Sequence, residues 1–118
     1  MTKIKPSKNL DLIFVALANQ HRREIIYALS LQPHSITQLA LQQNLSLPAI
    51  HKHIKILEDA DMILRKKTKQ TNYLALNKDS LKSLQDWVMQ YHTYWGSKEQ
   101  TLENYIDYLN KIEEGGEK

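Results

Sequence analysis

The stretch that decides the fold is 35–58, which reads SITQLALQQNLSLPAIHKHIKILE. Its pattern predicts a short helix, a tight turn and a longer helix. We expect Thr37 to cap the first helix. Asn44 suits the left-handed residue at which a helix ends, because its short side chain tolerates a positive φ. Ser46 is then the N-cap of the second helix, and Pro48 falls in its first turn, where a missing N–H costs nothing.

The second helix of this stretch has one apolar side and one basic side. Ile50, Ile54 and Leu57 recur at i, i+4 and i+7, so we expect them to face inward. The opposite side presents small and basic residues to solvent or to a partner: Ala49, His51, Lys52 and Lys55. Two helices joined by a short turn, the second small at its start and basic outside, predict a helix-turn-helix.

The run 44–57, NLSLPAIHKHIKIL, closely resembles the recognition-helix pattern of the ArsR/SmtB family of bacterial winged-helix repressors. In that family the run commonly reads leucine-serine-glutamine-proline-alanine-valine-serine-lysine-histidine-leucine. Leu47 replaces the usual polar residue, and His51 replaces the usual serine. Both lie near the helix start, where bases are normally read. The resemblance therefore implies the binding mode and leaves the DNA sequence undefined.

A second resemblance lies upstream, in the run 17–26, LANQHRREII. It is similar to the family's second-helix pattern of leucine, a small residue, Asp or Asn, two variable residues, arginine and paired aliphatics. Asn19 is the expected cap of this helix, 19–29. Arg22 occupies the family's arginine position, where it either orients helices or reaches a phosphate.

Two short strands, 63–67 and 72–76, are predicted after the helix-turn-helix, around a turn at 68–71. This hairpin is the expected wing. The family's wing turn often carries glycine-arginine, and the matching pair here is Lys69-Gln70. Asp61, after the recognition helix, also stands where the family usually has glycine. Asp61 makes the turn after the recognition helix less comfortable, and the loss of glycine from the wing leaves its turn type open while the positive charge is kept.

The remaining helices lie at the two ends of the chain. Asn9 is the expected cap of a first helix, 9–18, whose stripe of Leu10, Ile13, Phe14 and Leu17 is backed by apolar residues on the other side. A helix apolar nearly all round needs a second burying surface, plausibly another subunit. A long helix is expected from Asp79 or Ser80 to Gly96, and Ser97 with Gln100 forms a capping box for a last helix.

The length of 118 residues fits one domain. We expect a polar segment, 1–8, that is either a frayed tail or a phosphate-touching arm. A winged-helix domain, 9–113, follows, with dimerisation helices at 9–18 and 79–113, and 114–118 form a tail. The expected fold class is mainly α with a small β-hairpin: a winged helix-turn-helix of four helices, two strands and two further helices.

Charge is distributed unevenly along the chain, around a net charge of +3. From 62 to 72 there are four cations and no acid, whereas 97–118 carries three cations against six acids. A basic middle and an acidic end predict a polyanionic partner on one side only.

Several classes of protein are excluded by what the sequence lacks. With no cysteine there is no disulfide, thiolate metal site or thiol redox chemistry. No apolar run reaches the roughly 18 residues of a membrane span, and no signal-peptide core follows Met1. We find no acid–base pair, activated nucleophile or cofactor loop. We therefore expect a cytoplasmic protein without a membrane partner, enzymatic activity or cofactor.

A metal site is not expected either, although many ArsR-type proteins sense metals. His51 and His53 are two apart in a helix and point to different faces. The family's last-long-helix motif pairs an acid and a histidine two apart, but Asp86 is followed by Val88 at that spacing, and His92 lies six residues on. A transition metal needs three or four suitable ligands.

The DNA-binding interpretation assigns a role to each polar residue of the helix and wing. Long cations give affinity by binding phosphates: Lys52, Lys55, Lys66, Lys67 and Lys69. At the wing tip, Gln70 and Thr71 enter a minor groove or bind sugar-phosphate. The start of the recognition helix meets the major groove with Ser46, Pro48, Ala49 and His51. Leu47 either packs or touches a thymine methyl.

Dimer contacts are expected from the outer helices: Leu10, Ile13, Phe14, Leu84, Trp87, Tyr91, Trp95, Leu102, Tyr105 and Leu109. The aromatic residues among them form either core and interface or a small-molecule pocket. A two-fold axis would place two recognition helices about one DNA turn, ~34–36 Å, apart.

The sequence thus predicts a homodimeric repressor that binds double-stranded DNA at a pseudo-palindromic operator and does not sense metals. The missing metal and thiol ligands fit an autorepressor, or a regulator relieved by a partner protein or a small organic effector, better than a metal sensor. The rival hypothesis is a winged-helix module that binds a partner protein, or a protein that binds nucleic acid nonspecifically.

Overall fold

The computed structural model describes residues 8–91 and 98–116. In chain order the elements are α1 (Lys8–Leu17), α2 (Gln20–Leu31), β1 (His34–Ser35), α3 (Ile36–Gln43), α4 (Leu47–Asp59), β2 (Ile63–Thr68), β3 (Thr71–Leu76), α5 (Lys78–Met89) and α6 (Lys98–Gly116). Within these ranges six helices and a hairpin wing are present, which confirms the expected fold class. The short strand β1 was not expected. The chain divides into two compact units between Asp86 and Trp87.

The first unit holds the hydrophobic core. Its fully buried large side chains come from five elements and the α4–β2 turn: Ile13, Ile25, Leu39, Ile50, Ile54, Leu57, Met62 and Leu74. The three α4 residues predicted to face inward are all 0% exposed. Burial of each large aliphatic side chain contributes about 1.5–3 kcal/mol. This packing fixes α4 with its opposite side toward solvent.

The wing is part of a three-stranded antiparallel sheet in the order β1-β3-β2. Pairing runs from Ile63 with Leu76 to Thr68 with Thr71, so the connecting turn contains only Lys69 and Gln70. The four-residue turn predicted at 68–71 was therefore too long, because its outer two residues belong to the ladder. The hairpin is correspondingly longer than expected, by one residue pair.

Two predicted caps of the helix-turn-helix are confirmed. Asn44 ends α3 in the left-handed region, with φ 54° and ψ 45°. The Ser46 hydroxyl accepts a hydrogen bond of 3.3 Å from the Ala49 N–H at the start of α4. At the start of α2, the Asn19 side chain likewise accepts from the Arg22 N–H at 3.2 Å.

The predicted cap of α3 was wrong. Ser35, not Thr37, caps this helix, and Thr37 lies inside it. The Ser35 hydroxyl accepts from the Gln38 N–H at 3.1 Å, and the Ser35 N–H donates to Gln38 Oε1 at 2.8 Å. This reciprocal capping box satisfies two backbone donors, whereas a single threonine cap would satisfy one.

The first helix differs from its prediction at its start and on its inner face. It begins at Lys8, so Asn9 lies within it rather than capping it. Ile13 and Ala16 are buried at 1% and 0% exposure, whereas Phe14 is 39% exposed. The inward face therefore includes a small residue that allows close approach, and Phe14 lies at the surface.

The second unit contains the end of α5 and the whole of α6. α5 ends at Met89, seven residues before the glycine at which it was predicted to stop. Trp87 and Tyr91 make an edge-to-face ring contact with centroids 5.2 Å apart. Trp95 and the predicted Ser97 cap lie outside the described residues. α6 reaches Gly116, past the expected boundary at 113.

Candidate nucleic-acid interface

The start of α4 presents a mixture of polar and apolar side chains to solvent. His51 and Lys52 are exposed, and Leu47 is 50% exposed. Pro48 is exposed and Ala49 partly buried. The side chains predicted to meet the major groove are therefore accessible on the solvent side of the helix. For Leu47, half exposure leaves both packing and a thymine contact open.

A cleft of about 200 Å³ joins this helix start to the wing tip. Leu47 and His51 line it from α4, and Gln70 and Thr71 line it from the hairpin. The other lining residues come from the start of α3 and from β3: Ser35, Ile36, Thr37 and Asn72. The structure thus brings the predicted groove-reading residues and the predicted wing-tip residues to one place.

The two lysines of strand β2 lie on opposite faces of the wing. Lys67 pairs with Asn72, which lines the cleft, and alternates with Arg65, which reaches α4. Lys66 pairs with Tyr73 on the other face. That outer face carries an apolar groove of about 460 Å³ bordered by Lys66. Because successive strand residues point to opposite faces, only Lys67 shares the recognition-helix side.

Sequence reasoning missed the role of Arg65. Its Nε and Nη2 donate to the two carboxylate oxygens of Glu58 on α4, each at 2.9 Å. This hydrogen bonding raises the pKa of Arg65 above its ordinary value. The pair ties the wing to the last turns of the recognition helix. Its partners belong to different elements, so no helix or strand periodicity could have paired them.

The lysines of α4 differ in their partners. Lys55 Nζ lies 3.3 Å from Asp59 Oδ1 one turn later, with both side chains exposed. Among the described residues, Lys52 has no ion-pair partner. A phosphate must compete with the Asp59 carboxylate for Lys55 but not for Lys52. Lys52 is therefore the more available of these two cations for a polyanionic partner.

The guanidinium group of Arg22 makes its contacts within the protein. Its Nε donates to the Ala16 carbonyl at 2.7 Å and its Nη2 to the Val15 carbonyl at 3.2 Å. Its Nη1 lies 3.1 Å from His53 Nδ1. All three guanidinium nitrogens therefore have partners within the chain. This geometry favours the helix-orienting alternative over phosphate contact.

The histidines of α4 point to different sides, as predicted. His51 is exposed, whereas His53 is partly buried against Arg22 and His21. Burial, the Arg22 charge and His21 lower the pKa of His53 below its ordinary 6.5. In the described part of the chain no three acids or histidines are grouped so that they could hold a metal ion. His92 lies outside that part.

Nine of the ten residues proposed for the dimer contact lie in the described part of the chain and fall into three groups, and Trp95 lies outside that part. Ile13 is buried in the core of its own chain at 1% exposure, so it offers little surface to a partner. Intermediate exposure is found at Leu10, Leu84 and Trp87. Exposed side chains are Phe14, Tyr91, Leu102, Tyr105 and Leu109.

Within 8–91 and 98–116, no helix is both long and apolar enough to cross a membrane.

A helix-turn-helix with a basic exposed face and a hairpin wing beside it defines the class of winged-helix DNA-binding proteins. Comparison with known families agrees. Residues 19–64 match the family described as "Bacterial regulatory protein, arsR family". The match covers α2, α3, α4 and the start of the wing.

Two curated relatives extend this result. The uncharacterized HTH-type transcriptional regulator YuzN of Bacillus subtilis is 35% identical over an alignment of 88 residues, which covers 68% of this chain and 96% of YuzN. The uncharacterized HTH-type transcriptional regulator MJ0229 of Methanocaldococcus jannaschii is 44% identical over 48 residues, 41% of this chain and half of that relative's length. This chain belongs to the arsR family of bacterial regulatory proteins.

Solved structures of similar proteins have the same fold. A crystal structure of an ArsR family transcriptional regulator superposes with a TM-score of 0.72 at 29% identity, covering 81% of this chain and 99% of the other. An ArsR-like transcriptional regulator from Rhodococcus sp. RHA1 has a TM-score of 0.71 at 20% identity, covering 91% and 92%. The protein is thus a DNA-binding transcriptional regulator. Since its family and relatives are regulators, the prediction that it is not an enzyme is confirmed.

Proposed function

We propose that the protein is a homodimeric repressor that binds a pseudo-palindromic DNA operator. The observation that carries this proposal is the shared cleft at the start of α4 and the wing tip, where His51 and Gln70 line one space. Lys52 on α4 and Lys67 on the wing flank it with positive charge. Cations that hold the phosphates beside polar groups that read base edges are the two parts of sequence-specific binding.

Exposed apolar surface on the outer helices supports the dimer. On α6, one side carries Leu102, Tyr105, Ile106, Leu109 and Ile112, each at least 40% exposed. On α1, Leu12, Phe14 and Val15 are also exposed. A second copy would remove such surface from water and would present two recognition helices to two half-sites.

The proposed signal is a protein or a small organic effector rather than a metal ion. The chain has no cysteine, and Asp86 lacks the histidine partner that the family's metal motif would place two residues on. Binding to chromosomal DNA would place the protein in the bacterial cytoplasm, at the nucleoid.

The test is a titration of the full chain on two duplexes at two salt concentrations. One duplex is selected by the protein from a random pool, and the other is its scrambled version. We expect tighter binding to the selected duplex and weaker binding to both at higher salt. Equal affinity for both duplexes would overturn operator recognition. Binding that does not depend on salt, or the absence of any binding to DNA, would favour a protein partner.

A further inference from the structure

A polar cluster lies behind the recognition helix, on the side away from DNA. We call it the His53 cluster, and it consists of His53 on α4, Arg22 and His21 on α2, and Gln43 on α3. Arg22 Nη1 lies 3.1 Å from His53 Nδ1, and His21 Nδ1 lies 2.8 Å from Gln43 Oε1. The rings of His21 and His53 have centroids 5.5 Å apart. The winged-helix function described above uses none of these side chains.

The chemistry of the contact fixes the protonation state of His53. A guanidinium has donors only, so His53 Nδ1 must be the acceptor and carry no proton. The other Arg22 nitrogens donate to the carbonyls of Val15 and Ala16, near the end of α1. One side chain thus links the recognition helix to the C-terminal carbonyls of α1.

This link can set the rotation of α4 more closely than apolar packing, which fixes only the side of the helix that faces the core. Burial of Ile50 and Ile54 is nondirectional, whereas a hydrogen bond weakens steeply when its angle changes. His53 is adjacent to Lys52 and two residues from His51. A small rotation of α4 about its axis would therefore move the groove-facing side chains.

We propose that His53 and Arg22 are positioning residues that hold α4 in its DNA-reading orientation, and that protonation of His53 releases this hold. The proposal rests on the proposed operator binding. In the described part of the chain, the charged or titratable groups that act on His53 are Arg22 and His21, both from α2. From α1 only backbone carbonyls face Arg22, and α3 contributes the neutral Gln43.

Protonation of His53 would thus remove the acceptor and add a positive charge beside a guanidinium. Burial and the same two neighbours already lower the pKa of His53 below 6.5, in keeping with a neutral resting state. The hold is therefore present at neutral pH and is lost as the pH falls below the ordinary histidine range.

The experiment compares the pH dependence of operator affinity for wild type, His53→Asn and His53→Leu. Asparagine keeps an acceptor oxygen near the Nδ1 position but does not titrate, whereas leucine removes the acceptor. Between about pH 8 and pH 5 we expect wild type to lose about tenfold more operator affinity than His53→Asn. We expect His53→Leu to bind the operator about tenfold more weakly at both pH values. His51 is exposed and unchanged in all three proteins, so its own contribution cancels.

Two controls separate positioning from folding. Circular dichroism at each pH and affinity for a scrambled duplex report on the fold and on phosphate contact. Both are expected to be nearly equal among the three proteins. Matching pH profiles of wild type and His53→Asn would overturn the proposal. So would a folded His53→Leu with wild-type operator affinity.

A readout without DNA distinguishes failure of this proposal from failure of operator binding. The amide resonances of Leu47 and Ala49, at the start of α4, are followed by NMR while His53 is titrated. A shift of these amides that is absent in His53→Asn supports positioning even when no duplex is preferred. Amides that do not respond overturn it.

Discussion

At the scale of single residues, two neighbours on α4 have different expected tasks. Lys52 is a flexible exposed cation, suited to a phosphate that every sequence offers. His51 lines the cleft beside the wing tip and carries ring nitrogens that can hydrogen-bond a purine edge. The first should therefore contribute affinity and the second sequence choice.

We expect Lys52→Ala to weaken binding to every duplex by a similar factor, and to reduce the slope of log affinity against log salt by about one. For His51→Ala we expect altered preference among sequences, by about 1–3 kcal/mol at one base pair. Fluorescence anisotropy with a panel of single-base variants measures both. The reverse pattern would show that the groove assignment is wrong.

Backbone conformation at two other residues gives a stability prediction. Asp61 and Lys69 have φ of 55° and 57°, a region that costs a residue with a Cβ about 1 kcal/mol more than glycine. These are the two positions at which the related family usually has glycine. Asp61→Gly and Lys69→Gly should each raise the free energy of unfolding by about that amount, measured by urea denaturation.

The same pair separates stability from DNA contact. Lys69→Gly also removes a cation from the wing turn, so its affinity for DNA should fall while its stability rises. Asp61→Gly removes no cation and serves as the matched control. Unchanged or reduced stability in both would mean that the positive φ values carry no cost.

At the scale of elements, local chemistry made the helix pair predictable. Asn44 and Ser46 are suited by their own side chains to end and begin a helix, so the turn could be placed from the sequence. Long-range partners could not. The Arg65–Glu58 pair and the two-residue strand His34–Ser35 depend on elements that meet only in the fold. The cap of α3 was misjudged because two hydroxyl residues two positions apart, Ser35 and Thr37, compete for this role, and the capping box with Gln38 favoured Ser35.

The alternation of side chains along strand β2 gives a prediction about the two lysines of the wing. Lys67 lies on the face shared with the cleft, and Lys66 lies on the opposite face beside Tyr73. Lys67→Ala should therefore weaken DNA binding several-fold more than Lys66→Ala, because only one of them is directed to the recognition-helix side. Each substitution removes one lysine from the same strand, so each controls for the other. Equal losses would mean that the wing contacts DNA with both faces.

At the scale of the whole molecule, the His53 cluster makes stability depend on pH. The folded protein holds the pKa of His53 below 6.5, while the unfolded chain keeps the ordinary value. Below about pH 6.5 the unfolded chain therefore binds more protons than the folded protein does. The free energy of unfolding decreases as the pH is lowered through this range, until the pH is below the pKa of His53 in the folded protein. Urea denaturation across this range should show a smaller decline for His53→Asn. Parallel curves for the two proteins would exclude His53 as the source.

The last prediction concerns assembly. The α6 side chains on one side of the helix are apolar and exposed, and Leu109 lies among them at 40% exposure. If a second copy covers this side, Leu109→Glu buries a charge without a partner and should convert the dimer to monomers in sedimentation experiments. The affinity for the operator should fall when the dimer is lost, because a monomer can bind only one half-site. Lys111→Glu adds the same side chain about half a turn away around the helix and should leave the dimer intact. A wild-type protein that stays monomeric at micromolar concentration yet prefers its operator would contradict the two-fold arrangement.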